Sequence, residues 1–151
     1  MTYHITALIP ANNEEQNIER CVKSLIDWCD RVVVIDMNST DHTASTAKEH
    51  HATVVRWQKN NDKPFIVIQE AINAQAQSSG TEWVLRIDAD EVVTDELQKE
   101  IQQILEQGAK AAYKAYGLPR KQYFWGGFLQ GGDWAYDRLV RLYQPSVAAY
   151  D

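Results

Sequence analysis

The sequence predicts an α/β fold with a mostly parallel sheet flanked by helices. Four short runs of β-branched and apolar residues alternate with segments in which apolar residues recur at helical spacing. Runs that are apolar almost throughout suit strands buried on both faces of a parallel sheet. This alternation of strand and helix also indicates right-handed crossovers. The predicted strands are HITALI at 4–9, RVVVID at 31–36, ATVVRW at 52–57 and WVLRID at 83–88.

A helix is predicted after each of these strands. Asn13 is the expected N-cap of the first helix, with Gln16 three residues later as in a capping box. Residues 39–41 offer caps for the second helix, and the third is predicted over residues 65–77. The apolar positions of the first helix are Ile18, Cys21, Val22 and Leu25.

The fourth helix is predicted to begin after Thr94 and to end at Gly108, because glycine commonly lies just beyond a helix end. Its apolar face consists of Leu97, Ile101, Ile104 and Leu105. From residue 111 the chain is rich in aromatic residues and glycine and lacks a helical period. Because aromatic side chains need burial, this segment is predicted to form β-strands and an ordered loop.

Length and composition indicate one globular domain. A chain of 151 residues can bury one hydrophobic core, and no apolar run approaches the ~20 residues that span a bilayer. The N-terminal segment lacks the basic and long apolar regions of a signal peptide. Cys21 and Cys29 are poorly spaced for a disulfide. We therefore predict a cytoplasmic protein in which Cys21 is a buried thiol.

Charge is distributed unevenly along the chain. The net charge is −6; residues 1–100 carry −8 (17 acids, 9 bases) and residues 101–151 carry +2 (4 acids, 6 bases). An acidic protein is a poor general binder of nucleic acid, so no nucleic-acid partner is predicted. The acidic front half would need a metal ion or a local basic group to bind an anionic ligand.

Polar clusters follow three of the four predicted strands, namely PANNEE, DMNSTD and DADE. The carboxyl ends of parallel strands meet at one edge, where open α/β sheets bind their ligands. One such cluster is ordinary turn and capping chemistry. Three clusters at the same edge favour a pocket for a polar ligand.

Asp88 and Asp90 lie two residues apart after the fourth strand. In an extended chain their carboxylates would share a face, and the small Ala89 between them leaves room for a ligand. Two hard oxygen donors at this spacing suit Mg²⁺ or Mn²⁺ held jointly with ligand phosphates. The alternative is a capping role for the next helix, which Glu91 fits better than Asp88.

Four segments together resemble the inverting nucleotide-sugar glycosyltransferases of family 2, which have the Rossmann-like GT-A fold. The segments are IPANNEEQNIERCVKSL, VVVIDMNSTDHT, EWVLRIDADEVVTDEL and YFWGGFLQGGDWAYDRLVRLY. They follow the family's order and spacing over nearly the whole chain, and the nearest likeness is to bacterial lipopolysaccharide-core β-glucosyltransferases. The resemblance implies that a sugar moves, with inversion, from a nucleotide-sugar donor, expected to be a UDP-hexose, to a glycan or lipopolysaccharide-core acceptor.

The resemblance also implies roles for particular residues. The donor-binding residues would be Pro10, Ala11, Glu14, Asp36 and Asp88. Asp90, together with Asp88, would ligate a divalent Mg²⁺ or Mn²⁺ ion on the diphosphate, where the cation stabilises the departing UDP. Within a single domain, residues 1–110 would form the nucleotide-sugar-binding half and residues 111–151 would begin the acceptor-binding half. Peripheral contact with the inner membrane face is also expected.

Three departures from the family pattern bear on catalysis. Asn12 stands where the family has an aromatic residue that stacks on the base, and Ile68 and Gln69 stand where it has an Arg-Asn pair. The family's His-Glu segment, a source of the catalytic base, would lie beyond the last residue. The chain is therefore expected to be a fragment or a non-catalytic homologue, which leaves Asp133 and Asp137 as candidates for the base.

The last segment offers candidates for acceptor binding. Trp125 and Trp134 are candidates to stack on sugar rings, and Arg138 and Arg141, three residues apart, are candidates to bind phosphate groups of the donor or acceptor. The alternatives are that both tryptophans belong to the core and that Arg138 and Arg141 are solvated or salt-bridged.

Two other functions are compatible with the sequence. The run IDADEVV resembles the opening of haloacid-dehalogenase phosphatases, whose first Asp is the nucleophile, although that motif normally begins the fold. The second is a domain that binds a nucleotide sugar without transferring it. Metal-dependent UDP binding without sugar transfer would distinguish this second function from that of an enzyme.

Overall fold

A computed structural model describes residues 3–58, 63–131 and 138–151. The helices are α1 (Ile18–Lys23), α2 (Thr43–Glu49), α3 (Pro64–Ser78) and α4 (Asp95–Glu106), and a 3₁₀ turn covers Gly108–Lys110. The strands are β1 (Ile5–Ala11), β2 (Arg31–Asp36), β3 (Thr53–Arg56), β4 (Trp83–Arg86), β5 (Ala115–Pro119), β6 (Tyr123–Phe124), β7 (Gly127–Phe128) and β8 (Arg138–Tyr143).

The main sheet has six strands in the order β3-β2-β1-β4-β8-β5, and β6 and β7 form a separate hairpin. The first four strands along the chain are parallel to one another. Strand β8 is antiparallel to both β4 and β5, so β5 runs in the same direction as β4. The predicted α/β fold with a mostly parallel sheet is confirmed. We call the edge at which β1–β5 end the carboxyl edge.

Strands β1, β2 and β4 are buried on both faces, as their apolar runs predicted, whereas the edge strand β3 is only partly buried. Along β1, Ile5 and Ile9 belong to one core cluster and Leu8 belongs to a second. The first cluster includes the apolar faces of α1 and α4, and the second includes that of α3. Because side chains alternate across a strand, a parallel strand between two helical layers must be apolar at nearly every position.

Two predicted details of the carboxyl edge are wrong. The fourth strand ends at Arg86 rather than at residue 88, because the backbone N–H of Glu91 donates to the carbonyl oxygen of Asp88 at 2.9 Å and closes a turn. Asp88 and Asp90 therefore lie in a turn and not in extended chain. Asn13 is not the N-cap of α1, which begins at Ile18 after Asn17.

Asn13 instead joins two loops of the carboxyl edge. Its backbone is in the left-handed region (φ 58°), which asparagine tolerates better than most residues. Its side-chain oxygen accepts a hydrogen bond from the Thr40 N–H at 2.8 Å, and its own N–H donates to Ser39 Oγ at 3.0 Å. Asn13 therefore links the loop after β1 to the loop after β2.

The ends of α4 agree with the prediction. Thr94 Oγ1 accepts a hydrogen bond from the Leu97 N–H, so Thr94 is the N-cap. Gly108 follows the helix with φ +52°, the left-handed conformation in which glycine carries no steric penalty. Beyond residue 111 the described residues include strands β5–β8, as predicted, but Tyr123, Phe124 and Phe128 are exposed, so the expected burial of the aromatic residues is wrong at these positions. Cys21 and Cys29 are buried free thiols.

Replacing Thr94 with alanine is expected to lower the free energy of unfolding by about 1 kcal/mol, the usual cost of losing an N-cap oxygen. Thr94→Ser is the matched control, because serine keeps the capping hydroxyl and should remain close to the wild type. Urea unfolding followed by circular dichroism measures both variants. Equal losses in the two variants would show that the Thr94 hydroxyl does not stabilise α4.

No helix in residues 3–58, 63–131 and 138–151 combines the length and the apolar character needed to cross a bilayer.

Candidate functional site

The loops after β1 and β2 are bonded to each other at the carboxyl edge. Ala11 pairs with Asp36 across the two strands, and the Met37 N–H donates to the carbonyl oxygen of Ala11 at 2.8 Å. Beyond the strands, the Glu14 N–H donates to Thr43 Oγ1 at 2.8 Å. These bonds hold the two predicted polar clusters, residues 10–15 and 36–41, side by side. We call the surface that they form the wall.

Asp36 lies at the end of β2 with only 1% of its surface exposed. Its Oδ1 accepts a hydrogen bond from the Ser39 N–H at 2.9 Å, and its Oδ2 lies 3.7 Å from Arg56 Nε at the end of β3. A carboxylate this deeply buried is stable only with such partners. Asp36 therefore holds the start of the loop after β2 from a buried position within the sheet.

Glu14, Pro10 and Ala11 lie beside this wall. The carbonyl oxygen of Glu14 accepts the first N–H of α1, and its carboxylate accepts a hydrogen bond from the Asn17 side chain at 2.8 Å. Pro10 and Ala11 end β1, where Ala11 is buried and small. Glu14 thus has a local role at the entry to α1 in addition to its place on the wall.

The turn over residues 88–91 lies next to the wall, at the end of β4. The two acids at its ends are bonded reciprocally, since the Asp88 N–H donates to Glu91 Oε2 at 2.9 Å and the Glu91 N–H donates to the Asp88 carbonyl. On the α1 side, Arg20 donates to the Asp90 carbonyl oxygen at 3.4 Å, and Cys21 Sγ lies 3.6 Å from the Asp88 carbonyl oxygen. We call this segment the acidic turn.

Three arginines surround the acidic turn. Arg141 Nη2 lies 2.8 Å from Asp88 Oδ2 and 3.2 Å from Glu91 Oε1. Arg86 lies 3.4 Å from Asp88 Oδ1, and Arg120 lies 3.6 Å from Glu91 Oε1. Both carboxylates at the ends of the turn are therefore neutralised by protein cations.

These contacts determine the charge states within the turn. Burial alone would raise the pKa of Asp88, but the hydrogen bond and charge of Arg141 outweigh it, and the charge of Arg86 adds to them, so the pKa lies below its usual value. At Glu91 burial prevails and raises the pKa, although Arg141 opposes it. Burial tends to lower the pKa of Arg141, but Asp88 and Glu91 raise it. Asp88 and Arg141 consequently form an ionised pair at neutral pH.

Asp90 differs from its two acidic neighbours. It is exposed at the centre of the acidic turn, and its carboxylate makes no hydrogen bond or ion pair with the part of the chain that the structure describes. Its backbone is nevertheless held, because Arg20 contacts its carbonyl oxygen. Asp90 is therefore an anchored residue whose carboxylate is available to a ligand.

Of the two predicted metal ligands, Asp90 has an exposed carboxylate, whereas the carboxylate of Asp88 is paired with arginines. Within the described residues, no three side chains of His, Cys, Asp or Glu form a cluster that could hold a metal ion. Asp88 faces an arginine on each of its oxygens, so it could bind a cation only by giving up an ion pair. Asp90 fits a shared site in which the ligand's phosphates supply the other oxygens.

The two departures noted in the sequence have structural consequences. The Asn12 side chain donates to the carbonyl oxygen of Met37 at 2.8 Å, which adds another bond between the loops after β1 and β2. Ile68, at the position of the family's arginine, packs against the second core cluster. Asn12 therefore supplies no aromatic ring to stack on a base, and Ile68 supplies no cation.

The β6–β7 hairpin leaves the sheet at the same edge, since it follows β5. Trp125 is 94% exposed and its ring stacks on Phe124, with centroids 5.9 Å apart and planes at 6°. The alternative that Trp125 belongs to the core is therefore wrong. Arg138 is exposed at the start of β8, whereas Arg141 on the same strand is buried. Asp133, Trp134 and Asp137 lie outside the described residues.

Arg141 is the residue whose importance the sequence did not reveal. For both Arg138 and Arg141 the sequence allows phosphate binding and a solvated or salt-bridged role equally. The feature of the sequence that could have indicated a structural role for Arg141 is its position in the run RLVRLY, where a segment rich in apolar residues carries a cation. A cation within a buried strand requires carboxylate partners, and DADE offers the nearest acids at the neighbouring strand end.

Comparisons with known proteins agree with this geometry. The family profile described as Glycosyl transferase family 2 matches residues 6–142. The chain is 30% identical over 146 residues to an uncharacterized glycosyltransferase of Rickettsia typhi, which covers 97% of this chain and 48% of that protein. It is 31% identical over 128 residues to the 4,4'-diaponeurosporenoate glycosyltransferase of Staphylococcus aureus, which covers 82% of this chain and 34% of that protein. The chain spans less than half the length of these relatives.

A solved structure shares the fold. Glucosyl-3-phosphoglycerate synthase from Mycobacterium tuberculosis, in a crystal structure with UDP, superposes with a TM-score of 0.57 at 23% identity, over 76% of this chain and 43% of that chain. The same enzyme with Mn²⁺, UDP and phosphoglyceric acid also gives a TM-score of 0.57, at 22% identity. With the profile match over most of its length, the chain belongs to glycosyl transferase family 2.

Proposed function

We propose that this chain binds a nucleotide-sugar donor, a UDP-hexose, at the carboxyl edge, as part of a metal-dependent inverting glycosyltransferase. One observation carries the proposal: the wall that contains Asp36 and the acidic turn that contains Asp90 stand at the same edge of a parallel sheet. Ligands of open α/β sheets bind at this edge. The family membership supplies the class of reaction.

The wall is the proposed uridine site. Pro10, Ala11 and Glu14 would line it on the β1 side, and Asp36 would lie beneath it. Because Ala11 is small and Asp36 holds the next loop through the Ser39 N–H, the nucleoside can approach the backbone closely. The bond from Asn12 to Met37 replaces ring stacking with a rigid polar surface.

The acidic turn is the proposed diphosphate site. Asp90 would ligate a divalent cation, Mg²⁺ or Mn²⁺, together with the donor's phosphate oxygens, and Asp88 would hold the turn and face the ribose. When bound, the cation would stabilise negative charge on the departing diphosphate. The mycobacterial synthase that shares the fold binds Mn²⁺ and UDP in its crystal structure.

Residues 111–151 would begin the acceptor-binding half, opposite the donor half formed by residues 1–110. The exposed ring of Trp125 is a flat apolar surface of the kind on which sugar rings stack, and Arg138 lies at the same edge. The acceptor would be a glycan such as a lipopolysaccharide core, reached by a protein that contacts the inner membrane face peripherally from the cytoplasm.

In the proposed reaction the acceptor's hydroxyl oxygen bonds to the anomeric carbon from the face opposite UDP. The bond between the sugar and the diphosphate breaks, and a general base takes the hydroxyl proton. The base candidates, Asp133 and Asp137, belong to the part of the chain that the structure does not describe. The phosphatase interpretation is wrong, because the DADE motif follows the fourth strand of a family 2 sheet.

Titration calorimetry with UDP, in the presence and absence of Mn²⁺, tests the proposal on the 151-residue chain. We expect clear binding with Mn²⁺ and much weaker binding with EDTA, because a front half of net charge −8 repels a diphosphate. GDP and ADP serve as matched ligands that share the diphosphate but not uracil. Equal affinity with and without the metal would refute the metal site, and no binding of any nucleotide would refute the donor site.

A further inference from the structure

Arg141 lies in β8 and is the only Lys or Arg side chain within residues 3–58, 63–131 and 138–151 that is buried. Only 2% of its side chain is exposed, and one nitrogen, Nη2, contacts both Asp88 and Glu91. Its Nε and Nη1 are also buried and have no hydrogen-bond partner among the described residues. Burying a guanidinium with two unpaired donors costs free energy.

Stability alone does not account for this arrangement. A buried ion pair replaced as a whole by apolar residues often leaves a protein equally or more stable. The bonds of Arg141 nevertheless converge on one short segment, the two ends of the acidic turn. Asp88 and Glu91 are in turn bonded to each other through the backbone N–H of each residue. Arg141 therefore closes a ring of bonds that fixes the shape of the turn.

Asp90 is the residue that this ring of bonds presents to solvent. Asp88, two residues before it, and Glu91, directly after it, are held by the ring, and Arg20 donates to its carbonyl oxygen. Arg86, Arg120 and Arg141 already contact the carboxylates of Asp88 and Glu91. Asp88 and Glu91 therefore have no unmet need for a cation, and the turn offers one free carboxylate.

We propose that Arg141 is a positioning residue, which locks the acidic turn in the shape that directs the Asp90 carboxylate toward the metal-bound diphosphate. This inference rests on the proposed function. Arg141 would not touch the donor; it would act through Asp88 and Glu91. Loss of the contacts between Arg141 and the two carboxylates should therefore weaken metal-dependent UDP binding and leave metal-free UDP binding nearly unchanged.

The test compares Arg141→Met with Arg141→Lys by calorimetry with UDP and Mn²⁺, and with UDP and EDTA. Methionine should weaken metal-dependent binding about 10–100-fold, the usual effect of losing a residue that orients a metal ligand. Lysine should restore part of the affinity, because a single ammonium can replace the one nitrogen that contacts both carboxylates. Arg31→Met is the matched control, since Arg31 is exposed at the opposite end of the sheet and should bind like the wild type.

The triple variant Arg141→Met, Asp88→Asn, Glu91→Gln covers the case in which Arg141→Met alone does not fold, because it removes the buried guanidinium together with the two carboxylates that it contacts. It should unfold cooperatively and still lose metal-dependent binding. Wild-type affinity with Mn²⁺ in Arg141→Met, or in the triple variant, would overturn the positioning role alone. Absence of metal-dependent UDP binding in the wild type would overturn the proposed function and this inference with it.

Discussion

Asp90→Ala is expected to weaken Mn²⁺-dependent UDP binding by about 100-fold or more while the thermal stability of the chain stays unchanged. Loss of a residue that merely orients a metal ligand costs 10–100-fold, so loss of the ligand itself should cost at least as much. Stability should not change, because the Asp90 side chain is exposed and forms no bond within the described residues. Titration calorimetry and differential scanning calorimetry measure the two effects.

Asp27→Ala is the matched control for this experiment. Asp27 is also exposed, but it lies after α1 and away from the carboxyl edge. The substitution removes the same charge, so a general effect of net charge on UDP binding would appear in both variants. Equal UDP affinities of Asp90→Ala and Asp27→Ala in Mn²⁺ would contradict the role of Asp90.

The largest effect on stability is expected at Trp83. This residue begins β4, is fully buried and packs in the first core cluster against Tyr116, with ring centroids 6.1 Å apart. Trp83→Ala should lower the free energy of unfolding by about 3–5 kcal/mol, because it removes buried apolar surface and leaves a cavity at the centre of the sheet. Urea unfolding at equilibrium measures the loss.

Trp125→Ala is the control for Trp83→Ala, because it deletes the same side chain from a nearly fully exposed position. Surface substitutions usually change stability by no more than about 0.5 kcal/mol. A loss of stability in Trp83→Ala as small as that in Trp125→Ala would contradict the expected contribution of Trp83 to the core. Loss of cooperative unfolding in Trp83→Ala, with Trp125→Ala intact, would agree with the expected burial.

The sheet could be predicted from the sequence because its physical requirement is simple. A parallel strand covered on both faces must be apolar at nearly every position. Strand β1 meets this requirement from Ile5 to Ile9 except at the buried Thr6, and β2 meets it from Val32 to Ile35. The ends of α4 were equally clear, since Thr94 and Gly108 have side-chain and backbone preferences that act locally.

The details of the carboxyl edge could not be predicted in the same way. The backbone bond between Asp88 and Glu91 accompanies an end of β4 at Arg86, two residues before the predicted end, although Ile87 continues the apolar run in the sequence. The sequence predicts that Asn13 caps the nearest helix, whereas its hydrogen-bond partners Ser39 and Thr40 lie 26 and 27 residues away. Local patterns do not reveal bonds between segments that only the folded sheet brings together.

The role of Arg141 was hidden for the same reason. Its carboxylate partners lie 53 and 50 residues earlier in the chain, and they meet it only because β8 pairs with β4 in antiparallel register. The sequence predicts that Asp90 ligates the metal and that Asp88 binds the donor or the same metal. The structure distinguishes them, since Asp88 is paired with arginines and Asp90 is exposed.

A crystal structure of the chain with UDP and Mn²⁺ tests the central claim most directly. The account predicts that the diphosphate lies at the carboxyl edge, with Mn²⁺ bound to an Asp90 carboxylate oxygen, and that Arg141 still contacts both Asp88 and Glu91. The uridine should lie on the wall formed by the loops after β1 and β2. UDP bound elsewhere on the chain, or Mn²⁺ held by residues that do not include Asp90, would contradict it.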